Sequence, residues 1–126
     1  MTKVIIDKDC GNSPKNLFLQ KLTVAFAKGD AKFILKSVAD DISWNIVGSQ
    51  SVQGEQDFAE AIADVKNEKV KQLNINHAAT HGKAGAVDGV KKLNNGKVLA
   101  FCDVYEFSGS TGTRVKSITS YVIEIS

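Results

Sequence analysis

KLNNGKVLAFCDVYEF, residues 92–107, decides the fold class. Asn95-Gly96 is flanked on both sides by alternating apolar and polar residues, the strongest short-range signature of a β-hairpin. Along the C-terminal arm, Leu99, Phe101, Asp103, Tyr105 and Phe107 share one face of a strand, and Val98, Ala100, Cys102, Val104 and Glu106 share the other. One carboxylate therefore stands among three aromatics. An ionised carboxylate buried without a partner costs several kcal/mol, so Asp103 must be neutral, paired or wet. Each of these states is chemically useful.

Strand patterning extends in both directions from this hairpin. Candidate strands run from Val70 to His81, Lys83 to Leu93, Lys97 to Phe107 and Thr113 to Ile125, joined by Gly82-Lys83, Asn95-Gly96 and a loop from Ser108 to Gly112. Upstream of Val70 the pattern is mostly helical. Ser13 is a natural N-cap with Pro14 in the first turn, and Phe18, Leu22, Ala25 and Phe26 recur at helical spacing. Gly29 ends that helix, and Asp30 caps a shorter one carrying Phe33, Ile34 and Val38, closed by Asp40-Asp41. Ile42 to Val47 alternates as a strand, with Trp44 beside Ile42 and Ile46 as core or as a pocket wall. Gly48 to Gly54 reads as a loop. Glu55 and Asp57 open a third helix that buries Phe58, Ile62 and Val65. Residues 1–12 read as an N-terminal extension of a single domain, 1–126. Helices first and then an antiparallel meander argue for an α+β fold, with three N-terminal helices on one face of a bent, mainly antiparallel sheet.

Composition narrows the function classes. The chain has 126 residues, 43% of them hydrophobic and 24% charged, enough for one sizeable core. Its net charge is +2, and its 16 basic residues are dispersed rather than striped with aromatics, so nucleic acid is not the expected partner. There is no apolar run long enough to span a bilayer, and Asp7 and Asp9 interrupt the N-terminus where a secretory leader would be apolar. A cytoplasmic location is the expectation. Cys10 and Cys102 lack metal or redox spacing and read as free thiols. His77 and His81 would lie about 13 Å apart along a strand, too far to share a metal. Gly109 and Gly112 precede no helix and so form no phosphate cradle. No metal or cofactor is expected.

Several short segments carry a resemblance when taken together. They are Ala27-Lys28-Gly29-Asp30 closing the first helix, Val38-Ala39-Asp40-Asp41-Ile42 entering a strand, Gly54 before the third helix, and Asp103-Val104-Tyr105-Glu106-Phe107 before a glycine-containing turn. Their order from Pro14 onward resembles the nuclear transport factor 2-like superfamily, which includes ketosteroid isomerase and the polyketide-cyclase-like, SnoaL-like proteins. The resemblance implies a cone, in which helices and a bent sheet enclose an apolar cavity. It places Asp103 at the isomerase's protonated oxyanion-hole aspartate, a carboxyl kept neutral by an apolar site, and Tyr105 at a pocket aromatic. The isomerase's general-base aspartate falls at Ile46 and its oxyanion-hole tyrosine at Leu22, so steroid isomerisation is not implied. The epoxide-hydrolase branch needs an Asp-Arg-Asp set, and the one arginine here is Arg114 beside the last loop.

If Gly82-Lys83 and Asn95-Gly96 are both two-residue turns, His77 lies opposite Asp88 and Asp88 opposite Asp103. The three would form a row suited to acid–base work, or would merely satisfy one another on a half-buried face. A bulge near Gly85 or Gly89 would break the row, because a one-residue slip inverts every side chain. Leu22, Phe26, Trp44, Phe101 and Tyr105 are the candidate walls of a pocket for a small apolar ligand. The function expected is small-molecule binding, with isomerase-, cyclase- or lyase-like chemistry on a carbonyl-bearing ligand through Asp103, Asp88 and His77. The alternative is a non-catalytic module that forms a homodimer through Val87, Val98, Ala100, Cys102 and Val104.

Overall fold

The computed structural model describes residues 1–109 and 114–126. Among them are α1 (Pro14–Lys28), α2 (Ala31–Lys36) and α3 (Glu55–Val65), and seven strands: β1 (Lys3–Ile6), β2 (Val38–Ile46), β3 (Gln50–Gln53), β4 (Val70–His81), β5 (Ala84–Leu93), β6 (Val98–Phe107) and β7 (Val115–Glu124). The strands form one sheet in the order β1-β4-β5-β6-β7-β2-β3. β1 pairs parallel with β4, β2 pairs parallel with β7, and every other pair is antiparallel. This is the α+β architecture expected from helices followed by a meander, with α1 lying across β4 and β5.

The helix boundaries follow local chemistry. The Ser13 side chain accepts from the Asn16 N–H, and Pro14 occupies the first turn, where a missing N–H costs nothing. The Asp30 carboxylate accepts from the Phe33 N–H and starts α2. Val38 and Asp40-Asp41, expected to finish that helix, instead belong to β2, whose pairing with β7 is irregular between Val38 and Ser43. Two strands replace expected irregular segments. β1 lies inside the supposed N-terminal extension, and β3 lies inside the Gly48–Gly54 loop. The 108–112 loop falls at residues 110–112 outside the described residues.

Two departures in register decide which residues face inward. The Gly82-Lys83 turn has two residues, and His81 pairs with Ala84 as expected. The next turn has three, Asn94-Asn95-Gly96. The Leu93 N–H donates to the Lys97 carbonyl at 2.9 Å, and Gly96 takes φ +94°, which only glycine adopts without strain. That is the hairpin in which a type I turn is followed by a left-handed residue. Asp88 consequently pairs with Cys102, and Asp103 with Val87. The second departure is in β4, where Ile75 pairs with Gly89 and His77 with Asp88, leaving Asn76 as a bulge. Gly89 permits it, because a Cβ there would strike the Asn74 carbonyl. After the bulge the inward set of β4 switches from Leu73 and Ile75 to Ala78, and His77 turns outward.

The core lies between the helices and the concave face, with Leu19, Ile34, Phe58, Ile62, Ile75, Phe107 and Val115 among its buried side chains. Val87 is fully buried there. Its expected place on the outer, dimer-forming face is corrected, since Gly85, Val87 and Gly89 are the inward residues of β5. Cys10 and Cys102 are both free thiols.

Candidate active site in the sheet cavity

A cavity of about 280 Å³ opens between α1 and the sheet. Thr23, Phe26 and Ala27 of α1 form one wall. That spacing is a single helix stripe, i, i+3 and i+4. Trp44 and Ile46 form a second wall, and Leu73, Leu99, Phe101, Tyr105, Ile118 and Val122 form the floor. Trp44 is held edge-on by Phe26 and Phe58, with ring centroids 5.4 and 5.8 Å away.

The polar groups are few and sit at defined points. Asp103 comes from β6, directly opposite Ser120 on β7. Trp44 Nε1–H donates to Ser120 Oγ at 2.9 Å, so the Ser120 hydroxyl proton is free to bond the Asp103 carboxyl. This is a directed chain, indole to hydroxyl to carboxyl. Burial pushes the Asp103 pKa up to about 6, while the Ser120 bond and the Lys91 charge pull the other way. Thr23 Oγ1 donates to the Leu19 carbonyl at 2.8 Å and lies 3.2 Å from the Tyr105 hydroxyl. With the Thr23 proton so placed, Tyr105 is the donor of that pair. Burial, reinforced by the Asp103 charge, holds the Tyr105 phenol well above its ordinary value, so it stays protonated. At the mouth, Lys91 Nζ donates to Glu68 Oε1 at 2.8 Å.

The expected row of three acid–base groups is half formed, and on the wrong side. His77 Nδ1 lies 2.8 Å from Asp88 Oδ1, but the pair sits on the outer face, with the His77 side chain 82% exposed. The bulge at Asn76 and the third turn residue are the two causes. Asp103 alone of the three reaches the cavity, and its raised pKa owes nothing to Asp88. Cys102 shares the outer face with Asp88, and its thiol is pushed up by burial and by the nearby carboxylates, which leaves it a poor nucleophile.

Phe26, Trp44, Phe101 and Tyr105 all line the cavity. Leu22 does not: it is fully buried in the core, and the adjacent Thr23 takes its place on the wall. Reading the sequence missed Thr23, Ser120, Lys91 and Glu68. Ser120 carried a signal, as a polar residue in phase with Ile118 and Val122. Lys91 did too, in phase with Val87, Gly89 and Leu93. Among the described residues, no three His, Cys, Asp or Glu side chains gather as a metal set. No described helix is long and apolar enough to cross a membrane.

No protein-family profile and no curated relative matches the chain, but solved structures do. A nuclear transport factor 2-like protein of unknown function from Cytophaga hutchinsonii is 25% identical, with TM-score 0.63 over 85% of this chain and 97% of that one. A proposed ketosteroid isomerase from Kribbella flavida is 14% identical, with TM-score 0.74 over 89% and 79%. An LEH-like epoxide hydrolase from M. tuberculosis is 16% identical, with TM-score 0.71 over 85% and 80%. Identities this low speak to the fold and leave chemistry to the residues of this cavity. The sheet order, the helices across its concave face and these similarities agree: the chain has the nuclear transport factor 2-like fold.

Proposed function

We propose that the protein binds a small apolar ligand with a carbonyl group in the cavity, and that Asp103 exchanges a proton with it. The observation that carries this reading is a buried carboxyl, its pKa pushed up to about 6, on the wall of a mostly apolar cavity. Near neutrality both of its forms are populated. The protonated form donates a hydrogen bond to a carbonyl oxygen; the ionised form accepts a proton from the adjacent carbon. A positioned general acid or base of this kind contributes about 10²–10⁴-fold to a rate. The Ser120–Trp44 chain supports the role by fixing the carboxyl's orientation. Ile46 and Leu22 cannot exchange protons, so the proton transfer rests on Asp103. Two of the similar structures are named as a proposed ketosteroid isomerase and an epoxide hydrolase, and a third as an epoxide hydrolase/cyclase-like enzyme, which supports chemistry of the isomerase or cyclase kind.

Trp44 is the one tryptophan and stands in the cavity wall, so its emission reports occupancy. Titration with 4-phenylbutan-2-one is expected to change that emission saturably. Affinity should rise as pH falls through about 6, and the pH dependence should vanish in Asp103→Asn. Deuterium wash-in at the carbons beside the carbonyl, followed by NMR, separates turnover from binding alone. Absence of any saturable change would remove the ligand site.

A second reading, a homodimeric module, is favoured by the outer face. Val104, Tyr121 and Ile123 are 40, 49 and 66% exposed there, alongside Val98, Ala100 and Cys102. The two readings are compatible, because the cavity opens on the opposite face of the sheet.

A further inference from the structure

Lys91 tunes Asp103 by its charge, but its ion pair with Glu68 in the cavity lining has no part in proton exchange there. The lysine projects from the inward face of β5 into a cavity walled by Leu73, Leu99 and Phe101, where alternation calls for an apolar side chain. Its side chain is only 24% exposed, yet it ends in an amine paired with a carboxylate. A half-buried ammonium is costly unless its donors are used. Of its three N–H groups, one is bonded among the described residues, to Glu68, which lies in the link between α3 and β4 and is itself 40% exposed. Glu68 is thus a partner on the rim, tied to a short connecting segment and able to turn to water at little cost. Lys91 and Glu68 both line the cavity.

We infer that the Lys91–Glu68 pair is an anion-recognition clamp, and that the ligand carries, besides the carbonyl that meets Asp103, a carboxylate that takes donors of Lys91 while its apolar body fills the cavity. This deepens the ligand-binding reading and rests on it. The chemistry is that of a charge-assisted hydrogen bond formed where water is scarce, which favours an anion over a neutral isostere. Glu68 shares the same ammonium with the ligand and repels its charge, so it weakens the hold on an anion without having to leave. The size class is modest, since about 280 Å³ lies at the lower end of ligand cavities.

Two isosteric probes test it on the full chain. 3-Phenylpropanoate and 4-phenylbutan-2-one differ in one terminal group, an anionic oxygen in place of a methyl. Trp44 emission is expected to report a preference for the carboxylate of about tenfold or more. Lys91→Met should bring the ratio of the two affinities to about one. Lys91→Arg, which keeps the charge, should retain the preference, and Glu68→Gln should increase it by removing the repelling charge. Circular dichroism confirms that each variant folds. Equal affinity for the two probes in the native protein overturns the clamp while leaving the cavity reading intact. A preference that survives Lys91→Met, or that falls in Glu68→Gln, also overturns it. Failure of both probes to bind removes the cavity reading and the clamp together.

Discussion

Asp103 is the residue on which the cavity's chemistry and its cost both turn. Its carboxyl titrates at about 6 in the fold and near 3.9 in an unfolded chain. Between these values the native state holds a proton that the unfolded state releases, so the residue's contribution to stability is full below about pH 4. It is lost as pH rises to about 6. Above that, the fold carries a constant penalty whose ceiling is about 3 kcal/mol, from roughly two pH units. Asp103→Asn is therefore expected to raise stability by about 1–3 kcal/mol at neutral pH and by almost nothing below about pH 4. Urea denaturation of both proteins at the two pH values checks this; an equal difference at both would make Asp103 an ordinary solvated acid. Ser120→Ala strips Trp44 Nε1 and the Asp103 carboxyl of their shared partner. Removal of a buried hydrogen-bond partner costs about 1–3 kcal/mol. In this variant carboxyl-carbon NMR should also find the Asp103 pKa displaced upward, because the Ser120 bond favours the charged form.

Elements were legible in proportion to how local their causes are. Caps at Ser13 and Asp30 and the αL glycine at Gly29 marked α1 and α2 because each acts within one turn of chain. β1 and β3 were not legible. Each has four residues, and β1 exists only through its parallel pairing to a strand some seventy positions away. The cavity wall could be read from Phe101, Asp103 and Tyr105, since alternation within one strand is also local. The row through His77 and Asp88 could not, because it depended on counting turn and bulge residues. Asn94 joins a turn that Asn95-Gly96 could have made alone, and the Asn76 bulge depends on a cross-strand approach at Gly89. That approach gives a prediction for the β4–β5 ladder. Gly89→Ala drives a methyl into the Asn74 carbonyl, and overpacking of this kind costs about 1–3 kcal/mol or more. Thermal melts should show the loss clearly, and a variant as stable as the native protein would mean that the bulge can relax.

The molecule as a whole presents two faces of opposite use. The concave one is filled by α1, α3 and the cavity. The convex one leaves Val104, Tyr121 and Ile123 in water. An apolar patch of this kind usually marks an interface, and the expected outcome is a symmetric homodimer. Sedimentation should show a dimer, and a monomer after Ile123→Lys, a substitution that faces away from the cavity and leaves Trp44 titrations unchanged. The N-terminal segment has a role of another sort. β4 is twelve residues long, and on the flank away from β5 it pairs with the four residues of β1, extended by the Thr2 hydroxyl on the Val70 carbonyl, the Asp7 N–H on the Ile75 carbonyl and the Asn16 amide on the Ala78 carbonyl. A strand of that length with its amide groups unpaired is a template for other chains. β1 thus serves as a stopper on an open seam. Deleting residues 1–7 is expected to leave the cavity formed but to make the protein self-associate into sheet-rich aggregates, at a rate that light scattering would follow.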